Sequence, residues 1–210
     1  HRLQRSGMRS LSPVVDVTNY VMLDLGQPLH AYDLDKIAPP IVVRRAREGE
    51  QLTTLDGKGH NLSPEDLLIP DSPDGAQGSR ILGIAGVMGG MYGEVTEETT
   101  NILIESAHFD PVSIARSARR HKIPSEASRR FERGVDTKLQ PAAAEEAAQL
   151  IVKTCGGQVS DTPADYDQTV EMPSIRFKTS EVKRLTALDI SVSRISEILT
   201  DIGCSLGGGG

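Results

Sequence analysis

The side chain best suited to acid–base chemistry in this sequence is His30, which lies in a short segment, residues 27–33, just after Gly26. Imidazole is the side chain most easily poised near neutral pH to accept or donate a proton. Because glycine is typical just after a helix end, the segment is predicted to be a loop that leaves a helix. A lone loop histidine is also often structural or exposed, so its type alone leaves both roles open.

A second candidate is Glu105, which closes the run Asn-Ile-Leu-Ile-Glu at residues 101–105, predicted to be a strand. Burying a carboxylate costs free energy unless it is paired, so packing alone does not favour one here. The residue is therefore exposed at the strand end, paired with a nearby arginine, or kept for a functional contact.

A glycine-rich turn is predicted at residues 86–90, Gly-Val-Met-Gly-Gly, directly after another apolar run. It has neither the Lys-Ser or Lys-Thr pair of a P-loop nor the spacing of a dinucleotide-binding fingerprint, so a phosphate cradle is only weakly supported. Glycine does let a ligand approach the backbone closely. The turn is therefore a candidate for lining a pocket.

Ser125 is predicted to be the N-cap of a short helix that Gly134 closes, and capping alone would explain it. No Ser-His-Asp arrangement and no activated serine or cysteine is visible in the sequence. A hydrolytic reaction here would therefore use water as its nucleophile.

These residues need strands and helices to position them. Ser12 and Pro13 predict a helix start, and the apolar spacing up to Leu25 predicts that the helix ends at Gly26. Asp56 and Gly57 predict a turn, and residues 71–79 predict an exposed loop. Strands are predicted at residues 41–43, 52–55, 67–69, 81–85 and 101–105, and further helices from Asp110-Pro111 onward and at 125–133 and 139–155.

Two domains are predicted, residues 1–172 and residues 173–210, because a linker rich in Pro and Asp follows Thr162. The fold class is α/β in the broad sense (α+β), a mixed β-sheet core with packed helices, followed by a truncated small α+β segment. That segment is predicted to hold a strand at 174–178 and helices at 179–187 and 192–202. The long helix at 139–155 is predicted to pack through Ala144, Ala147, Ala148, Ile151 and Cys155.

The charge is distributed unevenly along the 210 residues, whose net charge is −6. An acidic chain is not an obvious nucleic-acid binder, but residues 112–136 carry seven basic and three acidic side chains and the rest of the chain is −10. Such a basic patch suits contact with a phosphate backbone; a salt-bridged pair of surface helices is the alternative. Since Trp is absent and only three Phe and four Tyr occur, the core is predicted to be aliphatic.

The two cysteines, Cys155 and Cys204, lack metal-ligand spacing, so no metal site is expected. They are predicted to be buried thiols of a cytosolic protein. No apolar run reaches membrane-spanning length and no signal peptide is visible. The chain is interpreted as part of a longer protein, and the glycines at 207–210 as a flexible end or an added tail.

Three segments, taken in order, resemble the central part of the β subunit of bacterial phenylalanyl-tRNA synthetase. The resemblance covers residues 1–170 well and the tail more loosely. It implies an editing site that hydrolyses tRNA(Phe) wrongly charged with tyrosine. The segments are Gly-Gln-Pro-Leu-His-Ala-Tyr-Asp at 26–33, Gly-Val-Met-Gly-Gly at 86–90, and the run from Ile-Glu-Ser-Ala at 104–107 through residues 125–136.

The resemblance also implies roles for single residues. His30 would line the editing pocket and hold the attacking water or the terminal adenosine, and Glu105 would accept the tyrosine hydroxyl. Gly89, Ser125 and Ala127 would line the same pocket, with Ser125 standing where the family often has Thr. A general base is not implied, and assistance by a tRNA hydroxyl stays open. Possible tRNA contacts are Arg116, Arg119, Arg120, Arg129, Arg130 and Arg133.

The implied partners are the 3′ end of tRNA(Phe) and a synthetase α subunit in an α2β2 assembly, in the cytoplasm and away from membranes. No cofactor is expected in this region, because ATP and Mg²⁺ belong to the parent enzyme elsewhere. No class II synthetase motif is found, so aminoacylation by this chain alone is not expected. The alternatives are a non-catalytic tRNA-docking or structural module and a free-standing hydrolase.

Overall fold

A computed structural model describes residues 2–170 and 173–207. The chain divides into two compact units, residues 1–164 and 165–210. The predicted boundary at residue 172 and the terminal glycines 208–210 lie outside the described residues.

The first unit holds all the strands described and five helices. Its helices are α1 (Arg2–Arg5), α2 (Pro13–Leu25), α3 (Pro111–His121), α4 (Glu126–Phe131) and α5 (Gln140–Cys155), with 3₁₀ turns at Leu34–Lys36 and Pro73–Gly75. Its strands are β1 (Leu29–Asp33), β2 (Arg44–Arg45), β3 (Gln51–Thr53), β4 (Gly59–Asn61), β5 (Leu67–Asp71), β6 (Arg80–Ile84), β7 (Met88–Gly89) and β8 (Ile102–Ser106).

The strands form three sheets: β1 with β8, the four-stranded order β2-β5-β6-β7, and β3 with β4. The predicted α+β class is confirmed, with the difference that every described strand pair is antiparallel. The β1–β8 pair places His30 opposite Glu105. Two residues far apart in sequence thus become neighbours on one sheet face.

Helix α2 begins and ends where predicted. The Ser12 hydroxyl accepts a hydrogen bond from the Val15 N–H, and Gly26 follows the helix in the left-handed region at φ 79°, where glycine has no Cβ penalty. The helix packs against α5, which stands behind the β1–β8 sheet. This core consists of Val14, Val17, Val21, Ala31, Ala143, Ala147 and Ile151.

The predicted packing face of α5 is partly wrong. Ala147 and Ile151 are buried, but their partner one turn earlier is Ala143 rather than Ala144. Cys155 is exposed, and so is Cys204, so the prediction of buried thiols is wrong. Cys155 continues the spacing of Ala143, Ala147 and Ile151, but it is the last residue of the helix and is exposed there.

A second core lies between the four-stranded sheet and helices α3 and α4. Phe109 and Phe131 meet edge to face with ring centroids 5.2 Å apart, next to the fully buried Ile114. The predicted aliphatic core is therefore completed here by an aromatic pair.

Several strand predictions need correction. Residues 41–43 form no strand, although the Val42 N–H donates to the Pro70 carbonyl of β5, and β2 begins only at Arg44. Pro70 lies inside β5, at a register shift in the β5–β6 pair, where its missing N–H is tolerated. The predicted exposed loop at 71–79 starts with two buried residues, Asp71 and Ser72, since Asp71 receives hydrogen bonds from Arg80 and the Ala38 N–H.

The second unit contains helices α6 (Ser180–Thr186) and α7 (Val192–Asp201), close to the predicted ranges. The predicted strand at residues 174–178 is wrong, because the backbone there is irregular. No neighbouring strand is described in this unit with which such a segment could pair.

Candidate active site

A cavity of about 70 Å³ opens between the β1–β8 pair, the β6–β7 turn and helix α4. Its volume is enough for several water molecules. Its walls are mostly apolar, and its titratable side chains are His30, Tyr32 and Glu105. The apolar lining includes Ile69, Ile84, Val87, Met88 and Phe131.

His30 lies in strand β1, so the prediction of a loop for residues 27–33 is wrong from Leu29 onward. Pairing with β8 extends the chain from Leu29 onward and sets His30 directly across from Glu105. Glu105 likewise lies within its strand and is followed by Ser106, rather than closing it. Both side chains are held by ladder geometry, which is a more rigid support than a loop.

The carboxyl of Glu105 has a phenol as its partner instead of an arginine. The Tyr32 hydroxyl donates to Glu105 Oε2 at 2.7 Å. Glu105 is half-buried and lines the cavity. Burial raises the pKa of Glu105 from 4.5 to about 7, although the Tyr32 hydrogen bond acts in the opposite direction. Such a perturbed group in a cleft is a candidate functional residue.

His30 is neutral at physiological pH. Burial lowers the pKa of its imidazole from 6.5 to about 4, because desolvation disfavours the charged ring. The ring meets Tyr32 edge to face, with centroids 4.5 Å apart. A neutral imidazole can accept or donate a hydrogen bond without bringing a charge into the cavity.

Gly89 faces His30 closely. A Cβ built at Gly89 would lie 2.7 Å from His30 Cε1 and 2.8 Å from Nε2. Gly89 lies in strand β7, so the predicted turn at residues 86–90 is wrong for Met88 and Gly89. The backbone at Gly89 can approach the imidazole this closely only without a side chain.

Ser125 and Ala127 connect α4 to the same cavity. The Ser125 hydroxyl accepts from the Ser128 N–H at 3.0 Å and donates to the Val87 carbonyl at 2.7 Å. It therefore caps α4, as predicted, and also ties that helix to the glycine turn. Ala127 lines the cavity, whereas Ser125 supports the wall from behind.

Tyr32 is the site residue that sequence reasoning missed. It is almost fully buried, and burial together with the neighbouring carboxylate raises the pKa of its phenol well above 10. The signal was the spacing of two from His30, since residues i and i+2 of a strand share a face. Assigning residues 27–33 to a loop concealed that periodicity.

The six candidate tRNA-contacting arginines fall into two groups. Arg120 binds Asp66 and Glu65, and Arg129 and Arg130 both contact Glu126, as in the alternative of a salt-bridged surface. The second group is exposed and consists of Arg116, Arg119 and Arg133.

Two further observations concern the part of the chain that the structure describes. No group of three or more His, Cys, Asp or Glu side chains there is arranged to hold a metal ion. No helix in the same ranges is both long and apolar enough to cross a membrane.

The family model of the B3/4 domain matches residues 1–156. The chain therefore belongs to the B3/4 domain family. Its homologues include phenylalanine–tRNA ligase β subunits: that of Bifidobacterium longum is 69% identical over 209 residues, and that of Leifsonia xyli is 48% identical over 205 residues. The matches cover 100% and 98% of this chain but 24% of each relative, so the chain spans about a quarter of their length.

Among solved structures, an N-terminal fragment of the phenylalanyl-tRNA synthetase β-subunit from Pyrococcus horikoshii matches with a TM-score of 0.43 and 16% identity. The match covers 90% of this chain and 55% of that one.

Proposed function

We propose that the cavity is the proofreading site of a phenylalanine–tRNA ligase β subunit and hydrolyses the ester of mischarged Tyr-tRNA(Phe). The B3/4 domain match and the synthetase relatives support the family context of this proposal. The observation that carries it is the Glu105 carboxyl, desolvated in a mostly apolar cavity and partnered by one phenol.

A carboxylate in an apolar cavity is suited to separating tyrosine from phenylalanine. The two amino acids differ by one hydroxyl, and an apolar pocket rejects such an addition only about 100-fold. A site that binds the hydroxyl discriminates by about 10⁴ or more, because phenylalanine would leave buried polar groups unpaired. In this proposal the ionised Glu105 accepts the tyrosine hydroxyl while the apolar walls enclose the ring.

Water is the proposed nucleophile. His30 is neutral and lies against Gly89, so in this proposal its ring holds the water or the terminal adenosine. Gly89 and Ala127 give the side chain and ester room, and Ser125 keeps α4 in place. Positioning in a mostly apolar cavity is the main contribution to rate that such a site can make.

Contact with tRNA is proposed for the basic helices α3 and α4. Arg116, Arg119 and Arg133 are exposed and suited to phosphate binding. Arg129 and Arg130 are held by a surface carboxylate, a type of pair worth at most about 1 kcal/mol, so a phosphate can replace it. Arg120 is the weakest candidate, because it is bound to the buried Asp66.

The partners and the cellular location of the parent protein are proposed from its relatives. We propose that the 3′ end of tRNA(Phe) and a synthetase α subunit, in an α2β2 assembly, are the partners, and that the parent protein works in the cytoplasm. The alternative function is a non-catalytic docking module, which the basic α3–α4 region would also suit.

The test is deacylation of Tyr-tRNA(Phe) and Phe-tRNA(Phe) by this chain, comparing wild type, Glu105→Gln and Glu197→Gln. Losing a hydrogen bond to a charged group should slow tyrosine release about 10- to 100-fold, with Phe-tRNA(Phe) spared throughout. Glu197→Gln changes a carboxylate in α7, which pairs with Arg194 at the surface, and should match wild type. If wild type released neither amino acid but still bound tRNA, the docking function would be preferred.

A further inference from the structure

Tyr32 is placed to control the carboxyl that the proposed function uses. On the antiparallel β1–β8 pair, Tyr32 lies one diagonal step from Glu105 and on the same face as His30. Diagonal neighbours of this kind are within reach of an aromatic side chain. The tyrosine is 2% exposed, so its hydroxyl has a fixed position.

The hydrogen bond from Tyr32 engages only one of the two carboxyl oxygens of Glu105. Oε2 receives the Tyr32 hydroxyl at 2.7 Å. Among the hydrogen bonds of the described residues there is none to Oε1, and Oε1 is not among the enclosed unsatisfied atoms. Because Glu105 lines the cavity, Oε1 is the oxygen that a ligand can reach.

The same contact shows what this carboxyl can bind. A phenol hydroxyl already lies on one oxygen at ordinary hydrogen-bond length, and an ionised carboxylate offers acceptor sites on both. We propose that Tyr32 is a positioning residue that anchors Glu105 by Oε2 and thereby presents Oε1 to the hydroxyl of a second phenol in the cavity. The substrate identity rests on the proposed function, whereas the anchoring does not.

The pH dependence of phenol binding gives a readout that a purely structural role would not move. The titratable groups facing the cavity are His30, Tyr32 and Glu105. The Tyr32 hydrogen bond lowers the pKa of Glu105 against the larger effect of burial. Removing the hydroxyl should therefore move the onset of phenol binding to higher pH.

The experiment measures binding of p-cresol and of toluene by NMR chemical-shift titration between pH 5 and pH 9. It compares wild type, Tyr32→Phe and Tyr92→Phe. Tyr92 is a matched control, because its hydroxyl donates to the Lys36 carbonyl on the surface. Wild type and Tyr92→Phe should bind p-cresol more tightly than toluene. In Tyr32→Phe this preference should be about 5- to 10-fold smaller, and it should begin at a higher pH.

Two outcomes would overturn the inference. Stronger p-cresol binding by Tyr32→Phe would make Tyr32 a competitor for the carboxylate, and equal binding of p-cresol and toluene by wild type would mean that Oε1 is not presented. Parallel deacylation assays separate this inference from the proposed function. An intact, Tyr32-dependent preference for p-cresol, without release of tyrosine from tRNA that the protein still binds, would support the anchoring and reject the hydrolytic function.

Discussion

Two carboxylates in this protein are enclosed in very different ways. Glu105 is enclosed in an apolar cavity with one phenol as its partner. Asp66 is fully buried and receives hydrogen bonds from the Ser63 N–H, the Ser117 hydroxyl, Arg120 and His121. Burial alone would raise both pKa values; the donors around Asp66 outweigh it and lower its pKa, whereas Glu105 is raised to about 7.

The difference separates a carboxylate that fastens the fold from the one that we propose binds a ligand. The partners of Asp66 come from α3 and from its own loop, so the cluster fastens that helix to the sheet, and its carboxylate has two oxygens already engaged. Glu105 has one oxygen engaged and the other accessible from the cavity. A buried group left with spare acceptor capacity destabilises the fold, and a ligand that supplies a donor recovers that free energy.

The largest effect is expected from Asp66→Ala. Removing one member of a buried ion pair typically costs about 3 to 5 kcal/mol, because the remaining charges lose their partner. Urea unfolding should show this loss relative to wild type, and the preference for p-cresol over toluene should be unchanged. Glu197→Ala, which breaks an exposed pair with Arg194, should cost less than about 1 kcal/mol. If Asp66→Ala lowered the free energy of unfolding by no more than the surface control does, Asp66 would not be a structural carboxylate and the contrast with Glu105 would fail.

Glu105→Gln should raise the free energy of unfolding rather than lower it, by an amount that depends on pH. The folded-state pKa of Glu105 is raised from 4.5 to about 7, so the stability tied to its proton is fully present below pH 4.5 and lost as pH rises to about 7. The glutamine variant avoids that loss. Its free energy of unfolding should match wild type near pH 4 and exceed it by up to about 3 kcal/mol at pH 8.

Urea unfolding at pH 4, 6 and 8 checks this prediction, with Glu197→Gln as the matched surface control. His30 contributes equally to both proteins: its lowered pKa gives stability present above pH 6.5 and lost as pH falls through about 4. Its contribution therefore cancels in the difference. A difference that stayed constant with pH would show that Glu105 titrates normally and would weaken its assignment as the functional carboxylate.

Much of the scaffold could be predicted from local chemistry. Three helix N-termini could be predicted from their capping residues, Ser12, Asp110 and Ser125. A cap acts within a single turn of the helix. The sequence also predicts the apolar strand containing Glu105 and the start of the turn at residues 86–90, although Met88 and Gly89 form strand β7. These features depend on neighbours in the chain, so the sequence alone carries their signal.

What could not be predicted depends on pairing between distant segments. Strand β1 exists because β8, more than 70 residues later in the chain, pairs with it, and Tyr32 reaches Glu105 only in that register. The same limit applies to Asp66, whose partners Ser117 and His121 come from α3. The resemblance to a known family supplied His30 and Glu105 as candidates but gave no reason to choose Tyr32.

The smallest of these effects is expected from Gly89→Ala, which tests how the glycine turn fits the cavity. The added Cβ would lie within 3 Å of the His30 ring, and the ring can turn into the cavity to relieve the contact. The cost should be about 1 to 2 kcal/mol, at the lower end of the range for overpacking. Gly59→Ala is the matched control, because Gly59 lies in strand β4 with open space around its Cβ position.

Displacing His30 also disturbs its edge contact with Tyr32, so Gly89→Ala should weaken p-cresol binding while Gly59→Ala leaves it intact. Equal p-cresol binding by both variants would show that the cavity does not depend on the close approach of the glycine turn, and the site would then consist of the β1–β8 pair alone.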